Sequence, residues 1–554
     1  MAGLAAAFGS GAMTNSIPEF ETDTNCFLIM GSNTSEGHPL IASRIMKARG
    51  ERGAKLVVID PRETQMARLA DLYLPFRPGT NVAVLNGLMN VIISEGLEDK
   101  AFIAERTEGY EEFRQVVMEY TPERVEEISG IPADGLREAA RLYATHKPSA
   151  IVYAMGITQH TTGTDNVKSC ANLAMLCGNV GVAGGGVNPL RGQNNVQGAC
   201  DVGALANVYP GYQAVTNPEI QAKFEKAWGS TSDLNVGLTV TEMINAAGDG
   251  LLRALYVMAE NPMLSDPDIN HARHCLEQIE FLVVQDIFLS ETAQLAHVVL
   301  PGASFAEKDG TFTGTDRRIQ RVRKAIEPLG DAKADWEIVC ELARRMVSGY
   351  RLQGSSVMEP ETWNYKTPAE IMSEIATVTP IYGGVSYDRL EREGFLQWPV
   401  PAADHPGTPY LHKGKFSRGL GRFHAIEFKE AAELPNEEYP FILTTGRLMF
   451  HWHTGTMTRR SEKLEQEVPQ AYVEMHPDDA ARIGLDGAKR VRVSSRRGEI
   501  ELNARVTKRI KPGVVFIPFH FAEAAANALT HAALDPVAKI PEYKVCAVRV
   551  EPVK

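Results

Sequence analysis

One unit of sequence occurs twice in this chain, and that repeat limits the fold more than any other feature. A strand-like run, Phe27-Leu28-Ile29-Met30, breaks at Gly31-Ser32-Asn33, gives way to a helix-period segment through Lys47, and is followed by a second run, Leu56-Val57-Val58-Ile59, ending at Asp60-Pro61-Arg62. Further along, Leu255-Tyr256-Val257-Met258 is followed by Ala259-Glu260-Asn261-Pro262, a helical stretch, and Phe281-Leu282-Val283-Val284 ending at Gln285-Asp286. From the two strand-end aspartates the text stays in register: Asp60, Ala67, Ala70, Leu74 and Pro75 against Asp286, Ala293, Ala296, Leu300 and Pro301. Apolar run, turn, helix, apolar run is the pattern of a βαβ unit with buried parallel strands and ligand-facing loops at the strand ends. Two copies predict two related Rossmann-like αβα lobes, each with a crevice beyond the carboxyl ends of its strands. An extended cofactor pair fits such an arrangement; a duplicated scaffold with one working site is the other reading, because fold alone does not fix function.

At 554 residues the chain exceeds the size of one hydrophobic core and predicts roughly two to four domains. Between 350 and 435 the text is irregular, with Pro360, Pro368, Pro380, Pro399, Pro401, Pro406 and Pro409, and reads as a long connection with short helices. From Phe441 onward closely spaced runs, Phe441-Ile442-Leu443-Thr444, Val491-Arg492-Val493, Ile500-Glu501-Leu502 and Val514-Val515-Phe516-Ile517, predict a small mixed β-barrel with one short helix near Pro477 to Ile483. The expected division is 1–193 and 194–425 as two α/β domains and 426–554 as a barrel of double-psi type. The opening MAGLAAAFGSGAM reads as an apolar helix closed by Gly9 or Gly11, with no capping residue before its first turn, as though the chain starts inside an element.

Composition removes several classes of function. A net charge of −12 repels phosphate backbones, which disfavours general nucleic-acid binding. No apolar run is long enough for a membrane span, and the N-terminus has no secretory pattern. The cysteines, Cys26, Cys170, Cys177, Cys200, Cys275, Cys340 and Cys546, are scattered without metal spacing and read as small buried hydrophobes.

The loop GSNTSEG lacks the glycine spacing of a nicotinamide dinucleotide site, which argues against a plain NAD dehydrogenase; N–H groups at Gly31 to Asn33 can still receive a phosphate. Asp60 can accept from ribose hydroxyls or a guanine edge and Arg62 can donate to phosphate as a planar fork; a turn aspartate before proline is the plain alternative. Residues 155–203 are dense in amides, with Gly184-Gly185-Gly186 permitting close backbone approach, and read as a cradle for a large heteroatom-rich ligand. Between Gly184 and Gln197 the only charge is Arg191, which can orient a small carboxylate bidentately or stand as a surface cation. His160 is an acid/base candidate or a satisfied polar residue. His451-Trp452-His453 on a strand would put both imidazoles on one face, with hydrogen bonding to a heterocycle preferred to a metal because no third ligand is close.

The motifs RGQNNVQGACDVGAL, MGITQHTTGTDNV, LTTGRLMFHWHTGTMTRRS, FHFAEAAANALT and PEYKVCAVRVEP closely resemble formate dehydrogenase catalytic subunits of the molybdopterin oxidoreductase superfamily, over essentially the whole chain. The resemblance implies two molybdopterin guanine dinucleotides carrying molybdenum or tungsten. By it, Gly31, Ser32, Asn33, Asp60, Pro61, Arg62, Pro78, Gly79, Thr80, Gly156 and Gln159 would hold one dinucleotide. Glu260, Asn261, Gln285, Asp286, Thr445, Gly446, Arg447, His451, His453, Asn527, Tyr543 and Lys544 would serve the other or the pterins, with Gly192 and Gln193 also in contact. Arg191 matches the family arginine that grips formate, so that a hydride can pass to a metal-bound sulfido group and CO2 leave. The implied partners are formate and CO2 and electron-transfer subunits of iron-sulfur, flavin or hydrogenase type, with no nucleic acid, no membrane span, and a cytoplasmic location.

The same resemblance implies an upstream iron-sulfur domain and a cysteine-His or selenocysteine-His pair shortly before the position of Met1, so no metal ligand is expected within this chain and the fragment alone is expected to be inactive. Met1 stands where the family often has valine, which a GTG start explains; a UGA selenocysteine codon read as a stop would account for the start, with a separately encoded subunit or deliberate truncation as alternatives. Other readings are another reaction of the superfamily, such as nitrate reduction or formylmethanofuran chemistry, or a non-catalytic cofactor-binding scaffold.

Overall fold

A computed structural model describes residues 1–229, 235–352, 363–485 and 489–553; Pro360 of the irregular connection lies outside them. The chain divides into two compact units, 1–192 with 264–271 and 410–554, and 193–263 with 272–409.

The first unit holds a five-stranded parallel sheet in the order Leu72–Leu74, Lys55–Ile59, Cys26–Met30, Ser149–Tyr153, Val187–Pro189. Its central strands are apolar end to end because helices cover both faces. Leu28, Met30, Val57 and Ile59 pack with the apolar helix Asn81–Ser94 and with Ala133–Thr145 and Gly163–Leu176. Phe27, Ile29, Leu56 and Val58 pack with Ile41 and Ile45 of helix Pro39–Arg52 on the other side. The opening helix Ala2–Phe8 ends at Gly9, whose φ of 82° makes the left-handed cap read from the sequence, and Met1 makes no side-chain cap. The same unit carries a closed barrel of Phe441–Gly446, Val514–Pro518, Tyr472–Met475, Glu499–Val506, Arg490–Ser494 and Cys546–Pro552, with the short helix at Pro477–Arg482.

The second unit contains the other copy of the repeat: Val298–Pro301, Phe281–Asp286 and Ala254–Met258 in one parallel sheet. The match reaches individual pairs. Met30 pairs with Ile59 and Ile59 with Leu74; Met258 pairs with Gln285 and Gln285 with Leu300. The residue after the first strand turns left-handed in both copies, Gly31 at φ 61° and Ala259 at φ 53°. Each donates its N–H to the neighbouring strand, at the Ile59 and Gln285 carbonyls respectively. Asp71 N to Leu56 O at 2.9 Å is reproduced by His297 N to Leu282 O at 2.8 Å.

All seven cysteines are free and buried, as the sequence predicts. No helix among the described residues is long and apolar enough to cross a membrane.

Candidate functional site

In the first unit four loops leave the carboxyl ends of adjoining parallel strands at one level, because Met30 is in register with both Ile59 and Tyr153, and Tyr153 with Pro189. They carry Gly31 to Asn33, Asp60 to Arg62, Gly156 to Gln159, and Arg191 with Gly192. This is the edge at which open α/β sheets bind ligands. Gly31 and Gly156 let two of these loops touch: Gly156 N donates to Gly31 O at 3.0 Å. A Cβ on Gly31 would sit 2.6 Å from the Gly156 carbonyl carbon, and one on Gly156 would sit 2.5 Å from Gly31 Cα. Gly31→Ala therefore meets backbone, at a positive φ as well, and is expected to cost about 2–5 kcal/mol. Gly37→Ala, with nothing within 4 Å of the new methyl group, is the neutral control; thermal midpoints of the two variants check the contrast.

The barrel brings cations to the same edge. Arg447, just past strand Phe441–Gly446, lies against Gly192, where an added Cβ would come within 2.5 Å of its Nη2. Its guanidinium stacks over Trp452 at 4.7 Å and makes no hydrogen bond or ion pair among the described residues. Burial pushes Arg447 down to about 10. Lys544 Nζ donates to the Thr445 carbonyl at 2.7 Å. Burial and the Arg447 charge push this ammonium down to about 7, against some support from Asp60. Asp60 is pushed up to about 6 by burial; one of its oxygens accepts from Arg62 N at 3.0 Å, so the strand-end aspartate closes its own turn. The Pro78-Gly79-Thr80 turn joins this group, since Gly79, at φ 91°, faces Val545 beside Lys544. Arg191 Nη2 reaches Gly11 O at 3.4 Å, and the Arg191 carbonyl accepts from His38 Nε2 at 2.7 Å.

Several side chains are otherwise engaged. The Arg62 fork is filled by Glu474, Nε to Oε2 at 2.6 Å and Nη2 to Oε1 at 2.9 Å. Asn527 Nδ2 donates to the carbonyls of Leu264 at 2.9 Å and Ser265 at 3.1 Å, and the Tyr543 hydroxyl donates to Ser265 O at 2.8 Å. Gly184, Gly185 and Gly186 do permit close approach, but what approaches is the chain itself, at Asp23, Asn179 and Thr14. That segment is internal packing rather than a ligand cradle.

The 451–453 segment is not a strand, which corrects the sequence reading. His453 takes a left-handed φ of 47°, so the alternation that would align the two imidazoles is lost. His451 Nε2 bonds the Val468 carbonyl at 2.8 Å, while burial and Arg447 push His453 down to about 4. His160 is buried, its Nε2 on Gly156 O at 2.9 Å and its Nδ1 3.8 Å from Glu542.

In the second unit, Asn261 Oδ1 accepts from Thr292 and Gln285 Nε2 donates to Asp335 at 2.6 Å. Asp286 Oδ1 accepts from Ile287 N at 2.7 Å, and Glu260 is held above the usual carboxylate range by burial and by Asp286. Gln193, which opens that unit, is exposed.

Sequence reasoning missed a cluster of Glu433, His531 and Cys546, whose ligand atoms lie within 4.8 Å of one another. It fits a metal poorly. Glu433 is bound by Arg496 and Arg497, and His531 Nδ1 accepts from Ala533 N, which leaves Nε2 protonated. His38 was missed as well, and only its place just before a proline at a helix start marks it in the text.

Buried polar atoms without partners test whether a heterocyclic, phosphate-bearing group suits the first unit. The Asn33 amide nitrogen, Asn81 Oδ1, His160 Nδ1 and His451 Nδ1 are such atoms, and a native protein leaves few of them unmet. With Arg447 and Lys544 they offer the mixed donors and acceptors of a pterin ring and the positive charge of a diphosphate site. The residues present fit the group.

Comparisons agree with this chemistry. The "Molybdopterin oxidoreductase" family model matches residues 4–345, and the "Molydopterin dinucleotide binding domain" model matches 441–547. The chain is 54% identical over 551 residues to the "F420-dependent formate dehydrogenase 1 subunit alpha" of Methanococcus maripaludis, covering 99% of this chain and 79% of that protein. It is 51% identical to the corresponding alpha subunit of Methanocaldococcus jannaschii, with the same coverage. To "Formate dehydrogenase H" of Escherichia coli it is 41% identical over 100% of this chain and 76% of that protein. Among solved structures, the acetylene hydratase of Pelobacter acetylenicus shares the fold, with a TM-score of 0.75 at 23% identity, covering 100% of this chain and 80% of that one. The chain belongs to the molybdopterin oxidoreductase family.

Proposed function

We propose that this chain forms the catalytic body of a formate dehydrogenase alpha subunit and binds a pair of molybdopterin guanine dinucleotides. One observation carries the reading: a half-buried guanidinium and ammonium, Arg447 and Lys544, have no carboxylate bound to them among the described residues, and they stand at the strand-end crevice that also presents Arg191. Formate dehydrogenase alpha subunits as relatives across nearly the whole chain supply the reaction. Loops 31–33, 60–62, 78–80 and 156–159 would line one dinucleotide, and Arg447 and Lys544 would hold phosphate oxygens by charge-assisted hydrogen bonds. Arg62 contributes there through its backbone, because its side chain is held by Glu474. Segments 1–193, 194–425 and 426–554 would each be a dinucleotide-binding domain, with Glu260, Asn261, Gln285 and Asp286 the candidate ligand residues of the second lobe.

When bound, the molybdenum or tungsten group supplies the two-electron redox chemistry. The chain's part is orientation: the Arg191 fork takes both carboxylate oxygens of formate and fixes which way the C–H bond points. On this reading the enzyme works in the cytoplasm and passes electrons through iron-sulfur centres to partner subunits.

The test is the purified holoenzyme assayed with formate against nitrate. Arg191→Lys keeps the charge and loses the fork, so it is expected to raise the formate KM about 10²-fold while the bound dinucleotide, measured after acid release, is unchanged. Nitrate reduction without formate oxidation, or an Arg191→Lys enzyme with wild-type KM, would sink the assignment.

A further inference from the structure

We propose that His38 is a positioning residue for formate: its Nε2–H holds the Arg191 carbonyl and so sets where the Arg191 guanidinium points. The proposal rests on formate binding at Arg191. A carbonyl only accepts, so the 2.7 Å contact requires the proton on Nε2. Burial and the nearby Arg447 hold the ring below the ordinary imidazole value, against the opposing pull of the carbonyl bond itself.

What makes His38 suited to this is that its own backbone cannot drift. Its N–H donates to Thr34 O at 2.9 Å, closing helix Thr34–Gly37, and its carbonyl accepts from Ile41 N and Ala42 N at 3.0 Å each, opening helix Pro39–Arg52. A residue tied on both sides presents its ring from a fixed frame. The loop it holds is tied at its start to the neighbouring strand. Leu190 N donates to Tyr153 O at 2.7 Å, and the next residue is Arg191, followed by Gly192, which brings no side chain to brace the turn. The His38 bond holds the Arg191 carbonyl and with it the Arg191 peptide plane, while Arg191 Nη2 also reaches Gly11 O at 3.4 Å and the Arg447 side chain packs on Gly192. Rotation of that plane swings the guanidinium, and a misplacement of about 1 Å at a reacting group costs on the order of 10²-fold.

The experiment uses the purified holoenzyme with four variants: His38→Ala, His38→Gln, His38→Leu and Arg191→Lys. Glutamine can put an amide N–H close to where Nε2 sits, whereas alanine and leucine cannot donate. The expected result is a formate KM raised about 10- to 100-fold in His38→Ala, kcat changed far less, bound dinucleotide unchanged, and most of the KM recovered in His38→Gln. His38→Leu preserves volume and replaces the alanine variant should that one fail to fold. Three outcomes overturn the proposal: unchanged KM in the alanine and leucine variants while Arg191→Lys raises it, a glutamine variant as impaired as alanine, or loss of dinucleotide, which would make the ring a cofactor ligand. An Arg191→Lys enzyme with wild-type KM would mark failure of the formate assignment itself, and the proposal would fall with it.

Discussion

Glu474→Ala is expected to lower the stability of the chain by about 3–5 kcal/mol, the cost of leaving a buried guanidinium without its counter-charge. Glu474 is 0% exposed and Arg62 6%, and the two meet through both guanidinium edges at 2.6 and 2.9 Å. The Arg62 guanidinium also lies 4.3 Å over the Phe516 ring, so it has no route to water once the carboxylate is gone. Arg505, 3.8 Å from Glu474 on the other side, is half exposed and can turn to solvent; it neither rescues nor compounds the loss. Thermal unfolding should fall by roughly 10 °C. The double variant Arg62→Met with Glu474→Leu should recover most of that, because a packed apolar pair replaces an ion pair at little net cost. A single-variant loss below about 1 kcal/mol would show that this tie, which joins the strand-end loop to the barrel, is unimportant to stability.

That pair also shows what the sequence could not reveal. Arg62 and Glu474 are 412 positions apart, and nothing local to Arg62 separates a fork waiting for phosphate from one already filled. The repeat was legible for the opposite reason. Strand pairing has a period of two, so a register kept from Asp60 to Pro75 and again from Asp286 to Pro301 leaves one way to lay the strands down, and the paired hydrogen bonds follow it. Gly184 to Gly186 were legible as places of close approach, but absence of a Cβ does not say what will fill the space, and here it is Thr14, Asp23 and Asn179. His451 to His453 looked like a strand by alternation, yet a left-handed His453 is a choice made by surrounding packing, with its carbonyl bound by the His520 ring. The strand-end loops of the site were readable because the end of a parallel strand is a fixed place; the convergence of Arg447 and Lys544 on them was available only through resemblance, since the barrel's docking is written in no local pattern.

Arg447→Ala is expected to abolish formate oxidation by loss of cofactor, and Lys544→Met to weaken cofactor retention while making the cofactor-free chain more stable. The two cations sit close enough that Arg447 helps push Lys544 down to about 7, an arrangement unfavourable to folding unless an anion joins them. Removing a charge-assisted phosphate contact costs about 1.5–3 kcal/mol, and losing the guanidinium fork, with two such bonds, about 10²- to 10⁴-fold in retention. For Lys544 the stability effect has a definite sign. An unfolded lysine titrates near 10.4, so between pH 7 and about 10 the unfolded chain holds the extra proton. The penalty from Lys544 is full below about pH 7 and fades as pH rises toward 10, so this contribution to stability increases with pH across that window. Lys544→Met removes the slope along with the penalty, and the cofactor-free variant should gain on the order of 1–3 kcal/mol at pH 7. Denaturant midpoints of wild type and Lys544→Met at pH 7 and pH 9.5, with dinucleotide content measured in parallel, decide it. A ligand-free Lys544→Met chain less stable than wild type at pH 7, or an Arg447→Ala enzyme with full dinucleotide content, would mean that these cations serve the fold and that the phosphates lie elsewhere.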